Sequence, residues 1–132
     1  MQDSTQKYKI DVFIVEDSPL VIERLENLIS ELPFVKIIGK AQNLESALMG
    51  VNLHKPQVAI IDIHLKEDAP DVNGMDLLPI LRKINPSIVL IMLTNFSDPK
   101  YQEKCLSLGA DYFLDKSIDF TRISDILNSL NP

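Results

Sequence analysis

Three apolar runs in this chain do not alternate with polar residues: Val12-Phe13-Ile14-Val15, Val58-Ala59-Ile60-Ile61, and Ile88 to Leu93. A strand with one wet face alternates apolar and polar side chains. A strand covered on both faces is apolar throughout. These runs therefore predict a parallel sheet with helices on each side.

The segments between the runs supply the helices. The first strand is expected over residues 8–15, with Tyr8 and Ile10 ahead of the apolar run. Ser18 suits an N-cap and Pro19 a first helical residue. Leu20, Val21, Leu25, Leu28, Ile29 and Leu32 then recur at helical spacing until Pro33. Residues 34–40 form the second strand. Asn43 caps a second helix carrying Leu44, Ala47, Leu48 and Val51, and residues 57–63 form the third strand. His64 to Asn73 is polar and must be a loop. Met75, Leu78, Leu81 and Ile84 mark a third helix, where Pro79 demands a kink or a late start. The fourth strand covers residues 87–94. Ser97, Asp98 and Pro99 open a fourth helix, with Gly109 at its C′ position. Residues 111–115 form the fifth strand. Asp119 is expected to cap a last helix with Phe120, Ile123, Ile126, Leu127 and Leu130 on one side.

The predicted fold is α/β: a five-stranded parallel sheet with helices on both faces, a doubly wound (βα)5 sandwich of flavodoxin-like topology. No internal repeat or linker interrupts it. A single domain over residues 1–132 is expected, with its core at about 8–130. The last helix stops at the end of the sequence, so no output domain is expected and the output should be a protein contact.

Bulk charge narrows the function. The formal net charge is -6 and the sequence pI about 4.8. That disfavours direct nucleic-acid binding, which needs basic clusters to meet phosphates. It suits a bound cation or a basic partner. The single Cys105 cannot form an internal disulfide, and the polar N-terminus is not a signal peptide. No apolar run is long enough to span a bilayer. A cytoplasmic protein without membrane contact is expected.

Ligands of such folds sit beyond the carboxyl ends of the strands, where the strand order switches. Strand one ends in Glu16 and Asp17, strand three in Asp62, strand four in Thr94, and Lys116 follows strand five. Neighbouring acids at the end of a buried strand repel each other and resist burial, so three converging carboxylates call for a cation. An all-oxygen set open to water suits Mg²⁺, with Mn²⁺ the alternative. Mg²⁺ on carboxylates is a usual platform for a phosphoryl group, and Asp is a known phosphoryl acceptor. Lys116 could pair with a phosphoryl oxygen and Thr94 could donate to another.

At these residues the sequence resembles the receiver (response regulator) domain of two-component signalling, the CheY-like superfamily. The resemblance runs from about Ile10 to Leu130. It rests on Val15-Glu16-Asp17, Ile61-Asp62-Ile63, Leu93-Thr94-Asn95 and Phe113-Leu114-Asp115-Lys116-Ser117, each at its strand end and in order. It implies that Asp62 is the phosphoacceptor and Asp17 a direct Mg²⁺ ligand. Glu16 would act mostly through a bound water, and the backbone carbonyl of His64 would complete the metal site. Thr94 and Lys116 would hold the phosphoryl group, and Thr94 with Phe113 would form the conformational switch. His64 and Phe96 would flank the path of the hydrolytic water, and a bulky Phe96 would lengthen the phosphoryl lifetime.

The implied partners are a sensor histidine kinase or a histidine phosphotransfer protein, and a downstream protein target. The readout surface would be the face of the fourth helix, fifth strand and fifth helix, which could also form a homodimer. Such a domain turns over no metabolite, although it would catalyse its own phosphorylation and dephosphorylation.

Three departures accompany the resemblance. The loop from Ile63 to Gly74 is several residues longer than usual, with Lys66 where proline often stands, so partner access or loop mobility should differ there. Ser117 replaces a common proline, which makes a cis peptide costlier. The switch residue is Phe, with no hydroxyl to bond across the output face.

Three competing readings fit less well. A degenerate receiver serving only as a scaffold would usually lack a site residue, and none is missing. A flavodoxin-like electron carrier would need a phosphate cradle after strand one, where Glu16 and Asp17 would repel phosphate. An Asp-dependent phosphatase would want a second Asp where His64 stands.

Overall fold

The computed structural model describes residues 10–69, 71–95 and 98–131. Ten regular elements alternate along it: β1 Ile10–Val15, α1 Pro19–Ser30, β2 Val35–Ala41, α2 Leu44–His54, β3 Val58–Ile61, α3 Leu77–Ile84, β4 Val89–Thr94, α4 Pro99–Ser107, β5 Tyr112–Asp115 and α5 Arg122–Leu130. The strands form one parallel sheet in the order β2-β1-β3-β4-β5. The order reverses between β1 and β3, so the crevice for a ligand opens there.

The non-alternating runs explain the two cores. Phe13, Val15, Ala59, Ile61 and Met92 face one side, under Ala47 and Val51 of α2, Leu77, Leu78 and Leu81 of α3, and Cys105 of α4. Val12, Ile14, Val58, Ile60, Ile91, Leu93 and Leu114 face the other, under Leu25 and Ile29 of α1 and Ile123, Ile126 and Leu127 of α5. Successive strand residues point to opposite faces, and both faces are dry. At about 25 cal/mol per Å² of apolar surface removed from water, these two layers are the main stabilising term.

The helix signals act as their chemistry dictates. Ser18 Oγ accepts from Val21 N at 3.3 Å, with Pro19 as the first helical residue. Asn43 Oδ1 accepts from Ser46 N at 2.8 Å at the start of α2. Pro79 is the third residue of α3, in the first turn, where its missing N–H costs nothing. The late start is therefore the one realised. Gly109 follows the last turn of α4 with φ +116°, a conformation that glycine adopts without strain. No helix among the described residues is long and apolar enough to cross a membrane.

Some boundaries differ from the sequence reading. Tyr8 and Ser97 lie outside the described residues. The third strand stops at Ile61 because the chain turns towards the loop, although Ile63 stays buried. Asp119 does not cap α5. Its carboxylate turns back to accept from Asp115 N at 3.0 Å, a turn occupies residues 116–121, and the helix begins at Arg122. No cis peptide bond occurs among the described residues, so Lys116–Ser117 is trans.

The loop after β3 ends in a built joint. Asn73 and Asp76 form a capping box around a 3₁₀ turn, Gly74–Asp76, which leads into α3. Gly74 N donates to Ile63 O at 2.6 Å. A Cβ on Gly74 would sit 2.0 Å from the carbonyl oxygen of Asp62. That oxygen is backbone and cannot swing aside. Gly74→Ala is therefore expected to destabilise the fold by about 1–3 kcal/mol, the usual range for overpacking. Urea unfolding measures the loss, and wild-type stability in the variant would refute the close approach.

Candidate functional site

The site begins with two backbone bonds. Glu16 N donates to Ala41 O at 3.0 Å and Asp62 N to Val15 O at 2.9 Å. Both acids thus leave the sheet while their amides still belong to its ladder. Their placement is that of strand residues, not of loop residues.

Glu16 is buried, 2 % exposed, and its Oε2 accepts from Asp17 N and Ser18 N, each at 3.1 Å. Lys116, also buried, reaches over from the end of β5. Its Nζ lies 2.8 Å from Glu16 Oε1 and 3.2 Å from Asp62 Oδ2. Only the contact to Asp62 has hydrogen-bond alignment, so Glu16 Oε1 sits in an ion pair with no aligned donor. Asp17 is half-buried and its Oδ2 accepts from Lys66 N at 2.6 Å. Oxygens of Glu16, Asp17 and Asp62 all lie within 4.8 Å of one another.

Burial raises the Glu16 carboxyl above its ordinary value of 4.5. Contact with Lys116 works against the rise, and the charge of Asp62 adds to it. Burial alone would lower the Lys116 pKa, but the two carboxylates outweigh it and the net shift is upward. Lys116 therefore stays cationic. One ammonium faces three carboxyl groups, and full ionisation would leave two negative charges unbalanced in a partly dry site. Isolated buried charge is costly. A divalent cation matches both the surplus and the all-oxygen donor set, and Glu16 Oε1, ion-paired with Lys116 but without an aligned donor, has lone pairs left for it or for its water shell.

The remaining expected residues are placed as follows. Thr94 is fully buried at the carboxyl end of β4, between the strands that carry Asp62 and Lys116. Its carbonyl accepts from Lys116 N at 3.0 Å. Phe113 is half-buried on β5 and packs against the core beneath α2, α3 and α4. His64 is exposed, with its ring edge-on to Tyr101 of α4 at 6.4 Å between centroids. Phe96 lies outside the described residues. Two participants were not singled out by sequence reasoning. Gly74 braces the Asp62 backbone, and the Asn73-Gly74 pair is a turn signal that does not say what the turn approaches. The Lys66 amide reaches Asp17, and a backbone group leaves no mark in sequence. Cys105 is buried at mid-helix with its thiol pushed up to about 11, which makes it an inert core residue.

A doubly wound sheet with an acidic cluster at its switch point defines a class of domains, and comparison with known proteins places the chain within it. Residues 12–128 match the response regulator receiver domain. The chain belongs to that family. It is 29% identical over 118 residues to the transcriptional regulatory protein CitT of Bacillus subtilis (strain 168), covering 89% of this chain and 50% of that protein. It is 30% identical over 128 residues to a protein-glutamate methylesterase/protein-glutamine glutaminase of Treponema denticola, covering 92% of this chain and 33% of that protein. Among solved structures, the response regulator domain of Thermotoga maritima CheB superposes with a TM-score of 0.74 at 26% identity, covering 92% of each chain. The chain thus spans half or less of the length of these two full-length relatives.

The raised Glu16 pKa fixes a sign. Between 4.5 and its higher folded value, the folded state binds more protons than the unfolded chain, so this group's contribution to stability falls as pH rises. In EDTA, wild type should therefore gain stability relative to Glu16→Gln as the pH is lowered from neutral towards 4.5. Paired urea titrations across that range measure it. A difference that does not change with pH would contradict the burial cost assigned to Glu16.

Proposed function

We propose that this receiver domain takes a phosphoryl group onto Asp62 in a Mg²⁺-dependent reaction and relays it as a change of surface. Phosphorelay signalling follows from the family; the residue roles, the ion and the donor are our reading. The observation that carries it is the convergence of Glu16, Asp17 and Asp62 with the ammonium of Lys116 at the β1–β3 switch point.

Each residue has a task that its surroundings support. Glu16 and Asp17, with the backbone carbonyl of His64, would hold Mg²⁺ (or Mn²⁺) beside Asp62. Bound there, the ion neutralises oxygens of the transferring phosphorus. Asp62 Oδ attacks the phosphorus, and the bond from phosphorus to the donor nitrogen breaks. The donor imidazole leaves with the electron pair: it leaves neutral when its other ring nitrogen already carries a proton, and otherwise takes a proton from water. Lys116 already contacts Asp62 Oδ2 and is placed to follow the charge onto a phosphoryl oxygen. Thr94 would donate its hydroxyl to another oxygen, and its inward movement would open space for Phe113, shifting the population towards a second conformation. The face of α4, β5 and α5 would carry that change to a protein target, and a homodimer through the same face is a further use of it. The donor would be a sensor histidine kinase or a histidine phosphotransfer protein.

The test is intact mass after incubation with acetyl phosphate and Mg²⁺, beside Asp62→Asn and an EDTA control. One phosphoryl adduct in wild type and none in either control is the expected result. An adduct that persists in Asp62→Asn would overturn the assignment of Asp62. An adduct that persists in EDTA would overturn the metal dependence. Lack of any adduct despite proven Mg²⁺ binding would favour a scaffold role or strict dependence on a protein donor.

A further inference from the structure

Three successive residues of the long β3–α3 loop bond to two other parts of the molecule. Lys66 N donates to Asp17 Oδ2 at 2.6 Å, just past the end of β1. Glu67 Oε1 accepts from Asn43 Nδ2 at 2.7 Å. Asp68 Oδ1 accepts from Leu44 N at 3.1 Å. Asn43 is itself the N-cap of α2 and Leu44 its first residue. Leu65, one residue earlier, is buried and roots the segment in the core. The loop is thus tied at one end to the acidic cluster and at the other to a helix start.

We propose that the Lys66 backbone amide is a positioning group for the Asp17 carboxylate, and that residues 66–68 couple ion binding at Asp17 to the N-terminus of α2. The inference rests on reading Asp17 as a metal ligand. A carboxylate has about four lone-pair sites. One N–H on Oδ2 therefore fixes the orientation of the group and leaves sites for an ion. Without that bond, a half-buried Asp on the end of a strand keeps its rotamer freedom, and repulsion from Glu16 and Asp62 turns it outward. Hydrogen bonds to metal-ligating carboxylates commonly tune affinity 10- to 100-fold. The coupling follows from stiffness. Three residues span at most about 10 Å, so an ion that holds Asp17 also holds Lys66, and through it Glu67 and Asp68, which accept from the donors at the start of α2.

The donor is main chain, so removing the side chain of residue 66 should not weaken binding, whereas loss of the N–H should. That separates a positioning role from a general effect of the loop. Mg²⁺ binding is measured by titration calorimetry with MgCl₂ on wild type, Lys66→Ala, Lys66→Pro and Asp17→Ala, each checked by thermal melting. Lys66→Ala keeps the N–H and loses a nearby positive charge, so it should bind no more weakly than wild type. Lys66→Pro, which has no N–H, should bind about tenfold or more weakly with its melt unchanged. Amide exchange supplies an independent readout. The Lys66 amide should exchange more slowly in wild type than in Asp17→Ala, and Mg²⁺ should slow exchange at Leu44 in wild type.

Wild-type affinity in folded Lys66→Pro would overturn the positioning role. If Lys66→Pro melts early, the Lys66 exchange comparison decides in its place, and equal rates in wild type and Asp17→Ala would overturn it. Leu44 exchange indifferent to Mg²⁺ would overturn the coupling. Failure of the underlying reading looks different: Asp17→Ala would then bind Mg²⁺ as well as wild type does.

Discussion

Asp62 N donates to the Val15 carbonyl, one residue before the acidic pair begins, and this bond continues the β1–β3 ladder past the last residue of β3. Two segments far apart in sequence are thereby held edge to edge. Parallel pairing needs long crossovers, and its strands must be covered on both faces. The apolar runs in β1 and β3 therefore serve two ends at once. They stabilise the sheet, and they set the spacing of Glu16, Asp17 and Asp62 with the rigidity of a buried ladder. A site that must hold several like charges close together needs that rigidity, because each carboxylate gains by moving away.

Charge is the second constraint. Lys116 is one cation against three acids, and it contacts two of them at once. Breaking a buried ion pair by removing one partner typically costs 3–5 kcal/mol, since the other charge is left alone. The site is therefore strained towards accepting positive charge and guarded against losing the positive charge it has. The ion binding and phosphoryl transfer proposed above would both act on that imbalance, one by adding positive charge and the other by bringing phosphoryl oxygens within reach of Lys116.

The loop after β3 is built into the site. Its length suggested freedom, but Leu65 is buried, Lys66, Glu67 and Asp68 are each bonded across the molecule, and Gly74 lies against the Asp62 carbonyl. Asp62 is thus braced from both sides: by β1 through the ladder and by the loop's end through a glycine that leaves no room for a side chain.

The sequence by itself determined the fold class, the order of elements and the identity of the acidic cluster. Val12–Val15, Val58–Ile61 and Ile88–Leu93 are apolar without a break, Ser18, Pro19 and Asn43 carry caps, and the charged residues stand where apolar runs stop. These signals are local, because a strand's burial and a helix's start are written in neighbouring side chains. Tertiary structure alone decided the rest. Asp119 forsakes α5 for the Asp115 amide, Lys66 offers its main chain to Asp17, and Lys116 lies nearer to Glu16 than to Asp62. The last two depend on distances between segments remote in sequence, and the first on how the chain turns after β5. Two of the three also rest on backbone amides, which every residue but proline carries alike and which no side-chain pattern can reveal.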